Sequence, residues 1–187
     1  TLIRSYDSGT SWKFVQTFND RINRFIWNKS GLYIVLRTKG VYSSIDGGTT
    51  VEDLTKPLLS EGALSDILGS QEKVTVGVFN QFAVNSNNPN LLYLTTDSGF
   101  MKSDNGGASW FAVKLPARQD NIKVQGLALA PSDERTIYVS AGNTVYRTDN
   151  GGSSWQTQDT RTSGLAYVLL VNTQLSNLVY AGIYIQR

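Results

Sequence analysis

The side chains available for chemistry in this sequence carry oxygen or a positive charge, because the chain contains no histidine and no cysteine. These two absences exclude a Ser–His–Asp triad, a cysteine nucleophile, a haem-ligating histidine and a zinc site built from Cys and His. Catalysis would therefore have to use Asp, Glu, Tyr, Lys, Arg, Ser or Thr. We accordingly predict no metal and no cofactor.

Arginine and aspartate recur together in three short polar segments, at residues 20–21, 118–120 and 159–161. A guanidinium group suits planar, bidentate recognition of a carboxylate or a phosphate. The alternative is that each Arg–Asp pair only holds its own loop on a solvated surface, where such pairs contribute little. The predicted binding residues are Arg21, Arg24, Arg118, Lys123 and Arg161.

These segments follow copies of one motif, [ST]-x-[DN]-x-G-x-[ST]-[WV], which starts at residues 5, 44, 103 and 148. The starts are roughly 40 to 60 residues apart, a spacing typical of propeller blades. The residues that match the motif are Ser5, Asp7, Gly9 and Trp12; Ser44, Asp46 and Gly48; Ser103, Asn105, Gly107 and Trp110; and Thr148, Asn150, Gly152 and Trp155.

The motif has the chemistry of a tight turn. Glycine supplies a positive φ at little cost, and Asp or Asn two positions earlier can accept backbone N–H groups across the turn. We therefore predict that Asp7 and Asp46 accept such bonds, and that Trp12, Trp110 and Trp155 are largely buried where they pack on a neighbouring unit. No Lys-Ser/Thr pair for a P-loop and no twelfth-position Glu for a calcium loop accompanies the glycines.

Short runs of β-branched and aromatic residues surround each motif and predict four strands per unit, with the motif between the third and the fourth. The predicted fold is all-β: a β-propeller, or propeller segment, of four-stranded antiparallel blades. Three blades are complete, and complementary half-blades stand at the two termini. The predicted units are a half-blade at 1–20, blades at 21–56, 77–115 and 122–158, and a half-blade at 165–187.

Two arrangements of the half-blades remain open. They could pair and close a four-bladed ring, which is the lower limit of the fold, or the chain could be part of a larger propeller. The start at Thr1 rather than Met favours a segment. The insertion at 57–77 could form a short helix with Leu64, Ile67 and Leu68 on one side, either as a loop on its own blade or as a lobe that contacts a partner.

The four motifs resemble Asp-box repeats, also called BNR repeats, which occur in sialidases, sortilin-type receptors, xyloglucanase-type glycoside hydrolases and the photosystem II stability/assembly factor family. In their sequence pattern the units most resemble bacterial extracytoplasmic propellers of the assembly-factor type. The resemblance covers essentially the whole chain and implies a propeller. The second motif departs from the pattern with Val51 in place of Trp. The resemblance defines fold better than function, because the box is a turn.

The enzyme families within this resemblance need residues that the chain does not clearly supply. Sialidases carry an early Phe/Tyr-Arg-Ile-Pro segment, which is absent. Xyloglucanase-type enzymes use two carboxylates that face each other across a cleft between two propellers; Asp66 and Asp97 are conceivable members. We therefore predict a non-catalytic, extracytoplasmic scaffold that binds a protein or a glycan. The alternatives are a fragment of a sialidase- or xyloglucanase-like glycoside hydrolase and a purely structural repeat segment.

Charge and hydropathy restrict the partner further. The formal net charge is +2, which gives no electrostatic case for nucleic acid. The longest apolar stretch, residues 165–171, is one strand long and far below the roughly 20 residues that span a bilayer, so we predict no membrane insertion. We expect the binding surface on the face that carries the connections between blades, opposite the motif turns.

Overall fold

The computed structural model describes residues 1–59, 77–117 and 123–185. Its regular elements are strands and one short helix, α1 (Lys56–Leu59). The strands are β1 (Leu2–Arg4), β2 (Lys13–Gln16), β3 (Ile22–Asn28), β4 (Gly31–Leu36), β5 (Val41–Ser44), β6 (Glu52–Asp53), β7 (Phe79–Val84), β8 (Leu92–Thr96), β9 (Gly99–Ser103), β10 (Phe111–Ala112), β11 (Gly126–Leu129), β12 (Ile137–Ala141), β13 (Thr144–Thr148), β14 (Gln156–Asp159), β15 (Leu165–Val171) and β16 (Val179–Tyr184).

The strands form five antiparallel sheets in chain order. Three sheets are four-stranded (β3 to β6, β7 to β10 and β11 to β14), and β1–β2 and β15–β16 form two-stranded sheets at the ends. Each strand pairs with its neighbours in sequence, which is the up-and-down order of a propeller blade. The predicted fold class, with three complete blades and a half-blade at each terminus, is confirmed.

The core lies between successive sheets and is built mainly from their middle strands. Residues 33–36 of β4 and the whole of β8 are buried without alternation, because neighbouring sheets cover both of their faces. Val35, Phe79 and Met101 belong to the cluster between the first and second four-stranded sheets. A second cluster follows between the second and third sheets, and smaller ones hold the two-stranded sheets in place.

In the three four-stranded sheets the motif forms the turn between the third and fourth strands, and the first motif forms the turn between β1 and β2. In the second motif, the Ser44 hydroxyl accepts the Gly48 N–H at 2.7 Å, and Asp46 Oδ1 accepts the Thr50 N–H at 2.9 Å. Gly48 has a φ of 94°, which makes glycine the favoured residue there. Asp7 accepts the Ser11 N–H in the same way at 2.8 Å, so the bonds predicted for both carboxylates are present.

The third and fourth motifs achieve the same turn with an amide. Asn105 Oδ1 accepts the Ser109 N–H at 2.9 Å, and its Nδ2 donates to the Ser109 hydroxyl at 2.8 Å. Asn150 makes the equivalent pair of bonds with Ser154. Where the residue is Asp, the hydroxyl donates instead, as Ser11 does to Asp7 at 2.6 Å. Neutral and ionised side chains therefore close the same turn.

The motif tryptophans differ from one another. Trp110 is 3% exposed, and its indole N–H donates to the Leu54 carbonyl oxygen on the preceding sheet at 2.8 Å, so its predicted burial is confirmed. Trp155 is partly buried, with its ring edge against Phe100. The prediction was wrong for Trp12, which is 59% exposed because no sheet within the described ranges packs beneath β1–β2.

The motif turns also hold each sheet on the one before it. A Cβ placed on Gly107 would lie 2.9 Å from the Leu54 carbonyl oxygen, and one on Gly152 would lie 2.9 Å from Val113 Cγ1. Gly48 approaches Leu2 and Val15 of the first sheet in the same manner. In the second motif Val51 packs against the cluster around Leu2, where the other motifs carry Trp. Repeated close contact at glycine thus spaces the sheets.

The ends of the chain and the insertion complete the description. Strands β1 and β16 do not share a sheet: β1 pairs only with β2, and β16 only with β15. Of the predicted insertion at 57–77, the structure describes the start, where α1 places Leu58 in the core at 1% exposed. The predicted helix with Leu64, Ile67 and Leu68 lies outside the described residues.

Replacing Trp110 with Ala should lower the free energy of unfolding by about 3–5 kcal/mol, because it removes a buried ring and leaves the Leu54 carbonyl unpaired. Trp27 on β3 is 70% exposed, so Trp27→Ala is the matched control and should change stability by no more than about 0.5 kcal/mol. Urea denaturation measures both variants. Equal losses would contradict the role assigned to the ring of Trp110.

The turns should also make stability depend on pH. The Ser11 hydroxyl and N–H lower the pKa of Asp7 from 3.8 to about 2, and the Thr50 N–H and hydroxyl lower the pKa of Asp46 likewise to about 2. A carboxyl with a lowered folded-state pKa stabilises the fold fully above its unfolded pKa, and this stabilisation is lost as the pH falls from about 4 to about 2.

The test is the double substitution Asp7→Asn and Asp46→Asn, which converts both turns to the form that Asn105 and Asn150 already use. We expect its urea midpoint at pH 6 to match that of the wild type and to fall less between pH 4 and pH 2. Asp104→Asn, at an exposed carboxylate in the third turn, is the control. Identical acid profiles for all three proteins would contradict the titration of these turns.

Candidate functional site

The two faces of the sheet array carry different connections. One face carries the connections between successive sheets and the turns between the second and third strands. Asp20, for example, lies in such a connection, and its Oδ2 accepts the N–H groups of Thr38 and Lys39 in the β4–β5 turn at 2.7 and 2.9 Å. We call this the connection face. The other face carries the motif turns and the turns between the first and second strands. Gly106 in the third motif, for example, donates its N–H to the carbonyl oxygen of Asn90 in the β7–β8 turn at 3.0 Å. We call this the motif face.

A cleft of about 380 Å³ opens where the first strands of the sheets converge near the connection face. Arg21 and Arg24 reach it from the start of β3, and Arg37 reaches it from the turn after β4. Asn80 and Gln81 of β7 form a second wall, and Tyr167 and Val168 of β15 form a third. The cleft is therefore formed by residues of the first and second four-stranded sheets and of the two-stranded sheet β15–β16.

Backbone hydrogen bonds fix the positions of Arg21 and Arg37. The Arg37 N–H donates to the Arg21 carbonyl oxygen at 2.9 Å, and the Phe79 N–H donates to the Arg37 carbonyl oxygen at 2.9 Å. These two bonds link the ends of β3 and β4 to the start of β7. Phe79 is fully buried, so its packing anchors the bond that holds Arg37 beside the second sheet.

Arg24 is the most enclosed of the three. Its Nη2 donates to the Asn80 carbonyl oxygen at 3.1 Å and to Gln81 Oε1. Burial lowers the pKa of Arg24 below its ordinary value, but a guanidinium remains charged at neutral pH. Both acceptors are neutral, so neither cancels its charge.

Ion pairs in the described ranges lie elsewhere. They join Lys123 to Asp97 at 2.9 Å, Arg135 to Asp133 at 3.8 Å and Arg147 to Asp149 at 3.8 Å. Within the same ranges, Arg21, Arg24 and Arg37 have no carboxylate partner. The cleft walls therefore carry positive charge that the described side chains do not neutralise.

In the two described polar segments, 20–21 and 159–161, the aspartate binds the backbone N–H of the arginine rather than its guanidinium group. Asp20 Oδ1 accepts the Arg21 N–H at 2.6 Å, and Asp159 Oδ1 accepts the Arg161 N–H at 2.5 Å. Burial alone would raise the pKa of Asp20, but the Thr38, Arg21 and Lys39 N–H groups outweigh it and hold that pKa below its usual 3.8. The aspartates shape the loops and leave the guanidinium groups free for other contacts.

Four of the five predicted binding residues lie in the described ranges. Arg21 and Arg24 line the cleft, whereas Lys123 is paired with Asp97, and Arg161 lies exposed after β14. Arg118 lies outside the described residues. Sequence reasoning missed Arg37, although its place directly after a middle strand, in a turn on the connection face, is a topological signal that could have identified it.

Carboxylates and metal ligands are scarce around the cleft. Its described lining contains no Asp or Glu. Asp97 holds Lys123 and accepts from Asn80 Nδ2 at 3.0 Å, and Asp66 lies outside the described residues. In the described part of the chain, no group of three or more acidic side chains could hold a metal ion, and no helix is long and apolar enough to cross a membrane.

Comparison of whole structures assigns the chain to the β-propellers. A GH74 enzyme from Niastella koreensis superposes with a TM-score of 0.69 at 16% identity, covering 96% of this chain and 31% of that chain. The GH74 xyloglucanase from Xanthomonas campestris gives 0.61 at 15% identity, covering 92% and 29%. The extracellular domain of BT4673 from B. thetaiotaomicron gives 0.63 at 11% identity, covering 91% and 21%.

These likenesses concern the fold alone, since the identities are low. The chain spans between a fifth and a third of the length of these three structures. No family model matches the sequence, and no curated protein matches it. The three superposed proteins include enzymes as well as an extracellular domain, so the fold by itself does not choose between catalysis and binding.

Proposed function

We propose that this chain is a non-catalytic propeller scaffold of the Asp-box type whose central cleft binds an acidic group of a protein or a glycan. The observation that carries the proposal is the set of three arginines in the cleft without a carboxylate partner in the described ranges. An anionic ligand supplies the missing partner. The guanidinium groups of Arg21, Arg24 and Arg37 then act as charge-assisted hydrogen-bond donors.

Partial burial makes Arg24 the anchor of the site. A charge that is partly removed from water interacts more strongly with an opposite charge, because the local dielectric is lower. Arg24 is already oriented by the Asn80 carbonyl oxygen and by Gln81, so little side-chain entropy is lost when it binds. Arg21 and Arg37 are exposed and add charge at the mouth of the cleft.

The walls of the cleft favour a ligand with an apolar part beside its acidic group. Tyr167 is 41% exposed and Val168 is 52% exposed, and both line the cleft together with the arginines. A volume of about 380 Å³ holds one side chain or one sugar ring with its neighbours rather than a whole domain. An acidic residue of an extended peptide and an acidic sugar both fit this description.

The finer family assignment and the location rest on the motifs. The four turns with the Asp-box pattern support assigning the chain to the assembly-factor type of propeller. That assignment in turn supports an extracytoplasmic location. Lys123 and Arg161, and Arg118 beyond the described residues, would then extend the cationic surface across the connection face. Asp97 reduces the contribution of Lys123, because it already binds that ammonium group.

A glycoside hydrolase remains the alternative, supported by the superposition on two GH74 enzymes. That chemistry needs two carboxylates about 5–10 Å apart across the substrate. The described cleft lining offers arginine, asparagine, glutamine and tyrosine instead. Binding without catalysis is therefore the function that the geometry supports better.

The experiment titrates the protein with two fluorescent probes, a hexaglutamate peptide and a hexagalacturonate oligosaccharide, at low and at physiological salt. We expect one probe to bind, with an affinity that falls as salt rises. Arg24→Gln and, separately, Arg37→Gln should each weaken binding about tenfold, because each removes a charge-assisted hydrogen bond. If Arg24→Gln lowers stability, Arg37→Gln still tests the cleft on its own.

Arg135→Gln is the matched control, since Arg135 is an exposed arginine on the motif face. It changes the net charge by the same amount and should leave affinity within about twofold. If neither probe binds at low salt, or if all three variants lose affinity equally, the cleft is not the binding site. Hydrolysis of the oligosaccharide by the wild type would instead support the glycoside hydrolase.

A further inference from the structure

Asp20 lies beside two of the cleft arginines without forming an ion pair with either of them. It precedes Arg21 in the chain, and its carboxylate reaches the β4–β5 turn, which begins with Arg37. The ion pairs in the described ranges do not include Asp20. A carboxylate next to a site for anions weakens that site through its charge, because like charges repel. Its presence there needs a structural reason.

The carboxylate of Asp20 is occupied by donors that belong mainly to the backbone. Its Oδ1 accepts the Arg21 N–H at 2.6 Å. Its Oδ2 accepts the N–H groups of Thr38 and Lys39 at 2.7 and 2.9 Å and the Thr38 hydroxyl at 3.1 Å. These bonds fill the roughly four acceptor positions that a carboxylate offers. The guanidinium groups of Arg21 and Arg37 therefore remain available to a ligand.

Asp97 shows a different use of a carboxylate on the connection face. It follows β8 directly, as Arg37 follows β4. Its Oδ1 binds the Lys123 ammonium group at 2.9 Å and accepts from Asn80 Nδ2 at 3.0 Å. Asp97 thus neutralises a cation, whereas Asp20 binds peptide groups and leaves the neighbouring cations charged.

Asp20 also belongs to a set of bonds that fixes the backbone at both arginines. The Arg21 N–H is held by Asp20, and the Arg21 carbonyl oxygen accepts the Arg37 N–H at 2.9 Å. The Arg37 carbonyl oxygen accepts the Phe79 N–H, and the next N–H, that of Thr38, returns to Asp20. Both peptide groups that flank each arginine are therefore bonded. The directions in which the two side chains leave the backbone are set by this arrangement.

An amide could not replace the carboxylate of Asp20. Both of its oxygens face backbone N–H groups, which can only donate. An asparagine would turn its NH₂ group toward one set of these donors, whichever way the amide is oriented. The motif turns differ, because there the second side-chain atom meets a serine hydroxyl, which can accept as well as donate. Residue 20 therefore requires an acid where the motif turns do not.

We propose that Asp20 is a positioning residue of the central cleft, which aligns Arg21 with Arg37 so that both guanidinium groups contact the same acidic group of a ligand. This role rests on the proposed function, because it concerns how the same cleft binds. The charge of Asp20 weakens anion binding, and the alignment strengthens it. Since the carboxylate is occupied by backbone donors, the alignment is the larger effect.

The variant Asp20→Asn tests this role, because charge and alignment predict opposite changes in affinity. The probe is whichever of hexaglutamate and hexagalacturonate binds the wild type at low salt. The substitution removes one negative charge, so charge alone predicts tighter binding of the probe. We expect binding about tenfold weaker instead, because the two arginines lose their alignment. A cooperative urea transition establishes that the variant is folded.

Asp20→Glu is the second variant, and it keeps the charge. Charge alone predicts unchanged affinity, whereas moving the carboxylate by one methylene group should weaken binding by at least about threefold. Asp133→Asn is the matched control. Asp133 accepts the Arg135 N–H at 3.0 Å in the β11–β12 turn, on the motif face. Its replacement changes the net charge as Asp20→Asn does and should leave affinity within about twofold.

A double-mutant cycle separates alignment from a general loss of structure. Arg37→Gln should weaken binding about tenfold in the wild type and less than about threefold in the Asp20→Asn background, because Arg37 is already misaligned there. Arg24→Gln should have the same effect in both backgrounds, since Arg24 is held by Asn80 and Gln81 rather than by Asp20.

The possible failures are distinguishable. If the wild type binds a probe and the folded Asp20 variants bind it as tightly or more tightly, the positioning role is wrong and the cleft remains a binding site. Equal effects of Arg37→Gln in the two backgrounds would also overturn the role. If the wild type binds neither probe, the proposed function fails, and the role of Asp20 fails with it.

Discussion

Contact between the motif glycines Gly48, Gly107 and Gly152 and the preceding sheet is the constraint on which the rest of the structure depends. At Gly107 there is no room for a Cβ beside the Leu54 carbonyl, and the positive φ there independently favours glycine. This contact sets how closely consecutive sheets approach. The approach in turn decides which residues of the middle strands are buried and where the first strands converge on the central cleft.

The sequence was sufficient for the fold because the fold repeats. The motif occurs four times, so an ambiguous copy could be interpreted by comparison with the other three. The alternation of predicted strands and turns was present in every unit. The exposure of Trp12 was not predictable from its own motif, because burial of that ring depends on a neighbouring sheet rather than on local pattern. The motif places a tryptophan ring on its turn, and the presence of a neighbouring sheet determines whether that ring is buried.

The site was harder to predict because it is assembled from distant segments. Arg21 and Arg24 were chosen for their chemistry, but their convergence with Arg37 depends on backbone bonds between β3, β4 and β7 that no local pattern encodes. Pairs that look electrostatic in sequence proved to be backbone contacts, as with Asp20 and the Arg21 N–H. Residue type predicted which groups could bind, whereas topology selected those that share a cleft.

The near-complete burial of the middle strands has a consequence for how the chain unfolds. Each sheet packs mainly on its neighbours in sequence, so cooperativity passes from one sheet to the next as it does in linear repeat proteins. Backbone amides in β8 and β12, which are covered on both sides, should therefore be among the last to exchange with solvent.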